Sequence, residues 1–239
     1  MARKLKIPNH VKKRRDRIET LRKEGNKIKR RYFLIVCEGE KTEPNYFESL
    51  KDALPKGVLE VCDFKIVGTG NNTTSLVEKA MQLRTDWANQ TEKPIDKLWI
   101  VFDKDSFTAQ SFHAAIQTCT TNHPLVDAAW SNEAFELWYL LHFHFYNTAI
   151  SRKQYQDLIE ENFKEKGLKN YKYKKNSIEM FTLLETYGSR EDAIRNAINL
   201  ENLYADTTDF ANHNPCTKVH KLVIELFGLD EALEEESEN

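Results

Sequence analysis

No stretch of about 18 consecutive apolar residues occurs in the 239-residue chain, so no helix is expected to cross a membrane. The basic N-terminus has no apolar segment of the kind a secretory signal needs, so export is not expected. Cysteine is sparse. Cys37, Cys62, Cys119 and Cys216 are far apart and form no C-x-x-C pair. That spacing argues against a zinc site or a disulfide framework, and the cytoplasm is the simplest compartment. Internal repeats and a long Gly/Ser linker are also missing, which leaves one compact unit with an N-terminal arm. The two glycines of the Gly68–Thr74 stretch lack a lysine at Walker spacing, so a plain turn competes there with a phosphate-cradling loop.

What is present is uneven in charge. The formal net charge is −2, yet residues 1–31 hold 14 Lys/Arg against 3 Asp/Glu, a net +11, which leaves the rest at −13. A basic arm on an acidic body suits a polyanion partner, nucleic acid first among them; a solvated or self-docking arm fits the same pattern. Arg30 and Arg31 end that arm and are candidate substrate-binding residues. Few apolar positions precede them, so residues 1–30 are expected to be partly ordered.

The apolar run Tyr32–Cys37, rich in β-branched and aromatic residues, predicts a short buried strand. Thr42 is placed to cap a helix that runs to Ala53, with Tyr46, Phe47 and Leu50 on one face. A second strand is expected within Val58–Val67, then a helix over Ser75–Asn89. Lys97–Phe102 is a third strand, apolar throughout after its lysine, as a parallel strand covered on both faces would be. A helix from about Thr108 to Thr121 and a strand over Leu125–Trp130 complete a β-α-β-α-β-α-β order. That order predicts a Rossmann-like, doubly wound parallel sheet with right-handed crossovers. After residue 131 helices are predicted over Ala134–Phe145, Ser151–Lys166, Ser177–Tyr187, Arg190–Tyr204 and Cys216–Phe227, with no further strand. The chain thus divides into a basic arm (1–30), an α/β core (31–132), a helical part (133–229) and an acidic tail (230–239) expected to fray.

Chemistry concentrates at the strand ends. Glu38 follows the first strand beside Gly39, and Asp103 and Asp105 follow the third. In a parallel sheet these ends share one edge, the edge where ligands bind. Three hard oxygen donors suit Mg²⁺ or Mn²⁺ better than zinc. Such ions activate water and stabilise charge on a phosphodiester. Glu38 is then a ligand or a general base, although acids in turns need no such role. Glu136 is a lone carboxylate in an apolar run, either a fourth ligand or half of an ion pair. Lys41 and Lys104 are placed to contact a phosphate as point charges. Glu40 and Glu43 crowd the same strand end, Glu43 in a favourable first-turn position. Ser131 or Asn132 would cap the helix after the fourth strand. His142 and His144 read as packing or surface residues, and nothing in its spacing requires His220 to act.

These residues carry a resemblance. The chain resembles the RloB-like family of prokaryotic defence proteins, related to the abortive-infection component AbiLii. The matching stretches are 34–47 (LIVCEGEKTEPNYF), 102–105 (FDKD), 131–138 (SNEAFELW) and 214–220 (NPCTKVH). The family looks like a divergent Toprim domain, whose glutamate after strand one matches Glu38 and whose D-x-D after strand three matches Asp103 and Asp105. The resemblance implies a Mg²⁺-dependent nuclease effector of an anti-phage, abortive-infection system, cutting RNA (tRNA included) or DNA. It also implies an ABC-type or AAA-type ATPase partner encoded nearby. The charges at Glu40, Lys41 and Glu43 depart from the usual Toprim segment and argue against topoisomerase or primase chemistry. A non-catalytic Toprim-like subunit that binds the ATPase or nucleic acid is the alternative, and a nucleotide-binding enzyme using the Gly68–Thr74 loop is a third. A homo-oligomer is compatible with any of them.

Overall fold

The computed structural model of the chain describes residues 30–70 and 74–236. The basic arm through residue 29, residues 71–73 of the glycine loop and the last three residues lie outside the described residues. Four strands are parallel: β1 (Arg31–Cys37), β2 (Cys62–Gly68), β3 (Lys97–Asp103) and β4 (Val126–Asn132). They stand in the order β2-β1-β3-β4, and a two-residue β5 (Cys216–Thr217) adds antiparallel to β4.

Alternate side chains of β1 and β3 enter two cores. Phe33, Ile35 and Cys37 join Trp99 and Val101 on one face. Tyr32, Leu34 and Val36 join Leu98, Ile100 and Phe102 on the other. A strand buried on both faces has no polar side to show, which is why both runs are continuously apolar in sequence. The second face is covered by α3 (Thr74–Thr91) and α4 (Ala109–Thr121), through Leu76, Ala80, Phe112 and Ile116.

The first face is larger. Tyr46, Phe47 and Leu50 of α1 (Thr42–Ala53) pack there, with Val58 of α2 (Lys56–Val61). Next come α5 (Glu136–Leu140), buried along its whole length, and α6 (Arg152–Glu165), whose Tyr155, Ile159 and Phe163 repeat at four-residue spacing. Then α7 (Met180–Tyr187), α8 (Arg190–Asn202) and α9 (Val219–Glu236) close the layer. Each large apolar side chain buried here contributes about 1.5–3 kcal/mol. The helical half is therefore the other side of the sheet's own core.

Several local expectations are corrected. Residues 58–61 belong to helix α2, which follows Pro55, and β2 begins only at Cys62. The apolar run 134–145 is helical only over Glu136–Leu140 and then tightens into turns, with His142 N to Tyr139 O at 3.3 Å and Phe143 N to Leu140 O at 3.0 Å. Its residues 134–141 are buried on both sides of the helix end at Leu140, so the composition does not mark where the helix stops. Cys216–Thr217 is a strand, held by Lys218 N to Trp130 O at 2.8 Å and by the Ser131–Thr217 hydroxyl pair at 2.9 Å. The part after residue 132 is thus not purely helical; two residues are too few to show a period. Ser131 and Asn132 belong to β4 rather than to a helix cap, and the N-cap of α1 is Lys41, not Thr42. The acidic stretch from Asp230 continues α9 to Glu236 instead of fraying.

Candidate functional site

Strand register brings the acids together. Cys37 pairs with Val101, and pairing continues one residue further, Glu38 N donating to Val101 O at 2.9 Å. Beyond it Asp103 N donates to Glu38 Oε2 at 3.0 Å, so the two strand-end acids are fastened directly. Asp103 lies opposite Ser131, which brings the start of α5, and with it Glu136, to the same edge. Glu43 enters from the first turn of α1. Its approach requires Gly39: a Cβ there would stand 2.1 Å from Glu43 Oε2. Gly68 is required too, because its Cβ would lie 2.6 Å from the backbone oxygens of Gly39 and Glu40.

A cavity of about 430 Å³ opens at this edge. Glu38, Glu40, Glu43, Asp103 and Glu136 line it, together with Lys41, Arg152 and Lys175. All but Glu40 of these acids are buried. Arg152, first residue of α6, answers several acids at once. Its Nη2 lies 2.8 Å from Asp103 Oδ2 and 3.0 Å from Asp105 Oδ2, and its Nε lies 3.4 Å from Glu136 Oε2. Glu136 Oε1 also accepts from Gln156 Nε2 at 2.9 Å and from the Tyr173 hydroxyl at 3.0 Å.

One cation does not balance this cluster. Burial raises Glu43 to about 7, with the charges of Glu136 and Glu38 adding and Arg152 opposing. Burial, then Glu43, pushes Asp103 well above the ordinary carboxylate range against the pull of Arg152. Glu43 Oε2 and Asp103 Oδ1 are buried without a hydrogen-bond partner. An all-oxygen acidic set with open acceptor positions fits a hard divalent cation in kind. In arrangement, no group of three or more His, Cys, Asp or Glu among the described residues is close enough to hold a metal ion. Arg152 stands among the acids instead.

A family model described as RloB-like protein matches residues 33–226. The chain belongs to the RloB-like protein family. The matched span contains every cavity-lining acid and base named above, so the cleft is part of the family's own domain. No curated protein and no solved structure matches the chain.

Within this RloB-like domain, Glu38, Asp103, Asp105 and Glu136 converge as their sequence positions suggest, Asp105 through its bond to Arg152 from a turn of 3₁₀ helix at Lys104–Ser106. Lys41 is exposed at the cavity rim. Lys104 turns to Phe107, its Nζ donating to the carbonyl at 3.0 Å. Arg30 and Arg31 stand at the opposite end of β1, about 20 Å away for a seven-residue strand; Arg30 pairs there with Asp63 at 3.1 Å. The structure does not bring these two arginines to the cleft. His142 is a buried packing residue, its ring edge-on to Trp138, and burial lowers it to about 4. His220 is buried against Glu201, Nε2 to Oε2 at 3.1 Å. Arg152 and Lys175 are the site residues that sequence reasoning missed. The loop bearing Lys175 is tied to α1: Thr42 Oγ1 donates to Lys175 O at 2.8 Å, Asn45 Nδ2 to Asn176 O at 3.0 Å and Ser49 Oγ to Ile178 O at 3.0 Å. The polar residues at 42, 45 and 49, spaced three and four apart, were the available signal.

Proposed function

We propose that this RloB-like protein is a divalent-metal-dependent nuclease, with its site in the cleft at the carboxyl ends of β1 and β3. The supporting observation is the pair of buried carboxylate oxygens, Glu43 Oε2 and Asp103 Oδ1, that lack a hydrogen-bond partner. Leaving such an acceptor unsatisfied costs about 1–3 kcal/mol, and more when it is charged. Glu38, Asp103, Asp105 and Glu136 would hold Mg²⁺ or Mn²⁺, which supplies an activated water and charge stabilisation at a phosphodiester. Glu38 orients Asp103 through the bond to its amide. Glu43 stands beside them, its carboxyl raised to about 7 mainly by burial. Lys41 and Lys175 at the rim hold the nucleic-acid backbone. We read the setting, as the family resemblance implies, as the effector half of a prokaryotic anti-phage system with an ATPase partner, acting on RNA or DNA.

The test is cleavage of mixed RNA and DNA with Mg²⁺ and with chelator. Wild type cuts only with Mg²⁺, and Asp103→Ala or Glu38→Ala reduces cutting by about 100-fold or more without unfolding the chain. Undiminished cleavage by either variant overturns the proposal.

The ion pairs of Arg152 favour a second reading. In it the arginine is the permanent partner of the acids, and the protein is a non-catalytic subunit that binds the ATPase or nucleic acid. Binding that survives Asp103→Ala, with no Mg²⁺-dependent cleavage, selects that reading.

A further inference from the structure

We propose that the lysine-rich loop 166–178, which runs up to the cleft, is a docking surface for the sugar-phosphate backbone of a nucleic acid, held by charge and without base stacking. This rests on the nucleic-acid part of the reading above and on no bound metal.

Three observations converge. The first is charge. Residues 166–178 hold five lysines and no acid, although the chain beyond residue 31 is net −13. All five, Lys166, Lys169, Lys172, Lys174 and Lys175, are exposed. Among the described residues only Lys172 of these is ion-paired, to Glu160 at 2.7 Å. Neighbouring like charges repel, and a polyanion relieves that by neutralising them and releasing its own counter-ions. Four lysines within the seven residues 169–175 suit a ligand with a charge on every unit, as a nucleic acid has. The second is that the loop is fixed, although it has no regular structure between α6 and α7. Thr42, Asn45 and Ser49 of α1 bond to the carbonyls of Lys175, Asn176 and Ile178, and Tyr173 N donates to Glu160 Oε2 at 3.2 Å. A preset row of cations loses less freedom on binding than a loose one. The third concerns the tyrosines. Their alternation with lysine over 171–174 fits base stacking when read from sequence. In the structure they are half-buried and engaged: the Tyr171 ring stands 4.5 Å from that of Phe163, and the Tyr173 hydroxyl donates to Glu136 Oε1 at 3.0 Å. Contact therefore runs through phosphates, which carry no sequence information directly. The run reaches the cleft at Lys175, which lines it together with Lys41, so a backbone lying on the loop is led to the cleft.

The experiment uses the full chain in EDTA, with short single-stranded oligo(dT) and oligo(dA) as probes and polyglutamate as the rival polyanion. Lys169, Lys172 and Lys174 are replaced together by glutamine. A control replaces Lys56, Lys79 and Lys93, also exposed, for the same change in net charge elsewhere on the body. The loop variant is expected to bind both oligonucleotides about tenfold or more weaker at low salt. Its slope of log affinity against log salt should shrink by about 2, at about 0.7 per phosphate contact on a single strand. The control binds within about twofold of wild type. Lys174→Gln alone shrinks the slope by about 0.7 and carries the test if the triple variant loses its melting transition. Unchanged affinity overturns the proposal, as do equal losses in loop variant and control, a loss confined to one of the two sequences, or polyglutamate bound as tightly as the oligonucleotides. Mg²⁺-dependent cleavage is followed on the same proteins. Binding that needs the loop, with no cleavage by wild type, sinks the nuclease reading and leaves the surface standing. Cleavage by wild type with binding that ignores the loop sinks only the surface.

Discussion

Glu43 and His142 are both buried, and burial shifts their titration so that they pull stability in opposite directions with pH. Glu43 has a folded pKa of about 7, raised mainly by burial from 4.5. Its folded form keeps the proton between those values, so its contribution to stability falls as pH rises through that window and is flat above it, by about 3 kcal/mol in total. His142 is lowered by burial from 6.5 to about 4 and stays neutral in the fold. Its contribution is intact above 6.5 and is lost, again by about 3 kcal/mol, as pH falls toward 4. Urea unfolding from pH 4 to 8 separates them. Glu43→Gln gains on wild type as pH rises, and His142→Gln gains on wild type as pH falls. Curves that stay parallel to wild type would remove the buried-charge account. At this scale the sequence exposed only part of the site. Glu38, Asp103 and Asp105 were readable because each follows an apolar strand. Glu43 looked like an ordinary first-turn acid, and nothing local to Arg152 announces an acid 49 residues away in the chain.

Among the elements, α1 does two jobs. Its apolar face, Tyr46, Phe47 and Leu50, enters the first core, while Thr42, Asn45 and Ser49 strap down the loop that carries Lys175. Replacing Asn45 and Ser49 together by alanine is expected to cost about 1 kcal/mol per lost bond. It should also speed tryptic cutting at Lys172–Lys175 while the melting transition stays cooperative. Unchanged cutting would mean that the loop is held by something other than this stripe. The strands were legible because burial on both faces left unbroken apolar runs. The shorter elements were not: α2 spans six residues and β5 two, below the length at which any period can be recognised.

For the whole molecule, the α/β part and the helical part share one core. From α9 alone, Val219, Leu222, Val223, Leu226 and Leu229 are buried in it. At about 1.5–3 kcal/mol each they match the entire stability of an ordinary domain. A chain ending at Asn132 is therefore expected to lack a cooperative thermal transition and to bind hydrophobic dye. A cooperatively folding 30–132 fragment would contradict this. The shared core also bears on synthesis. The ribosome delivers Glu38 and Asp103 well before Arg152 and Lys175, and the sheet's larger face is not fully covered until residues 219–229 arrive. The cleft thus matures in one late step, and a message cut short by a premature stop yields the acids without the cleft.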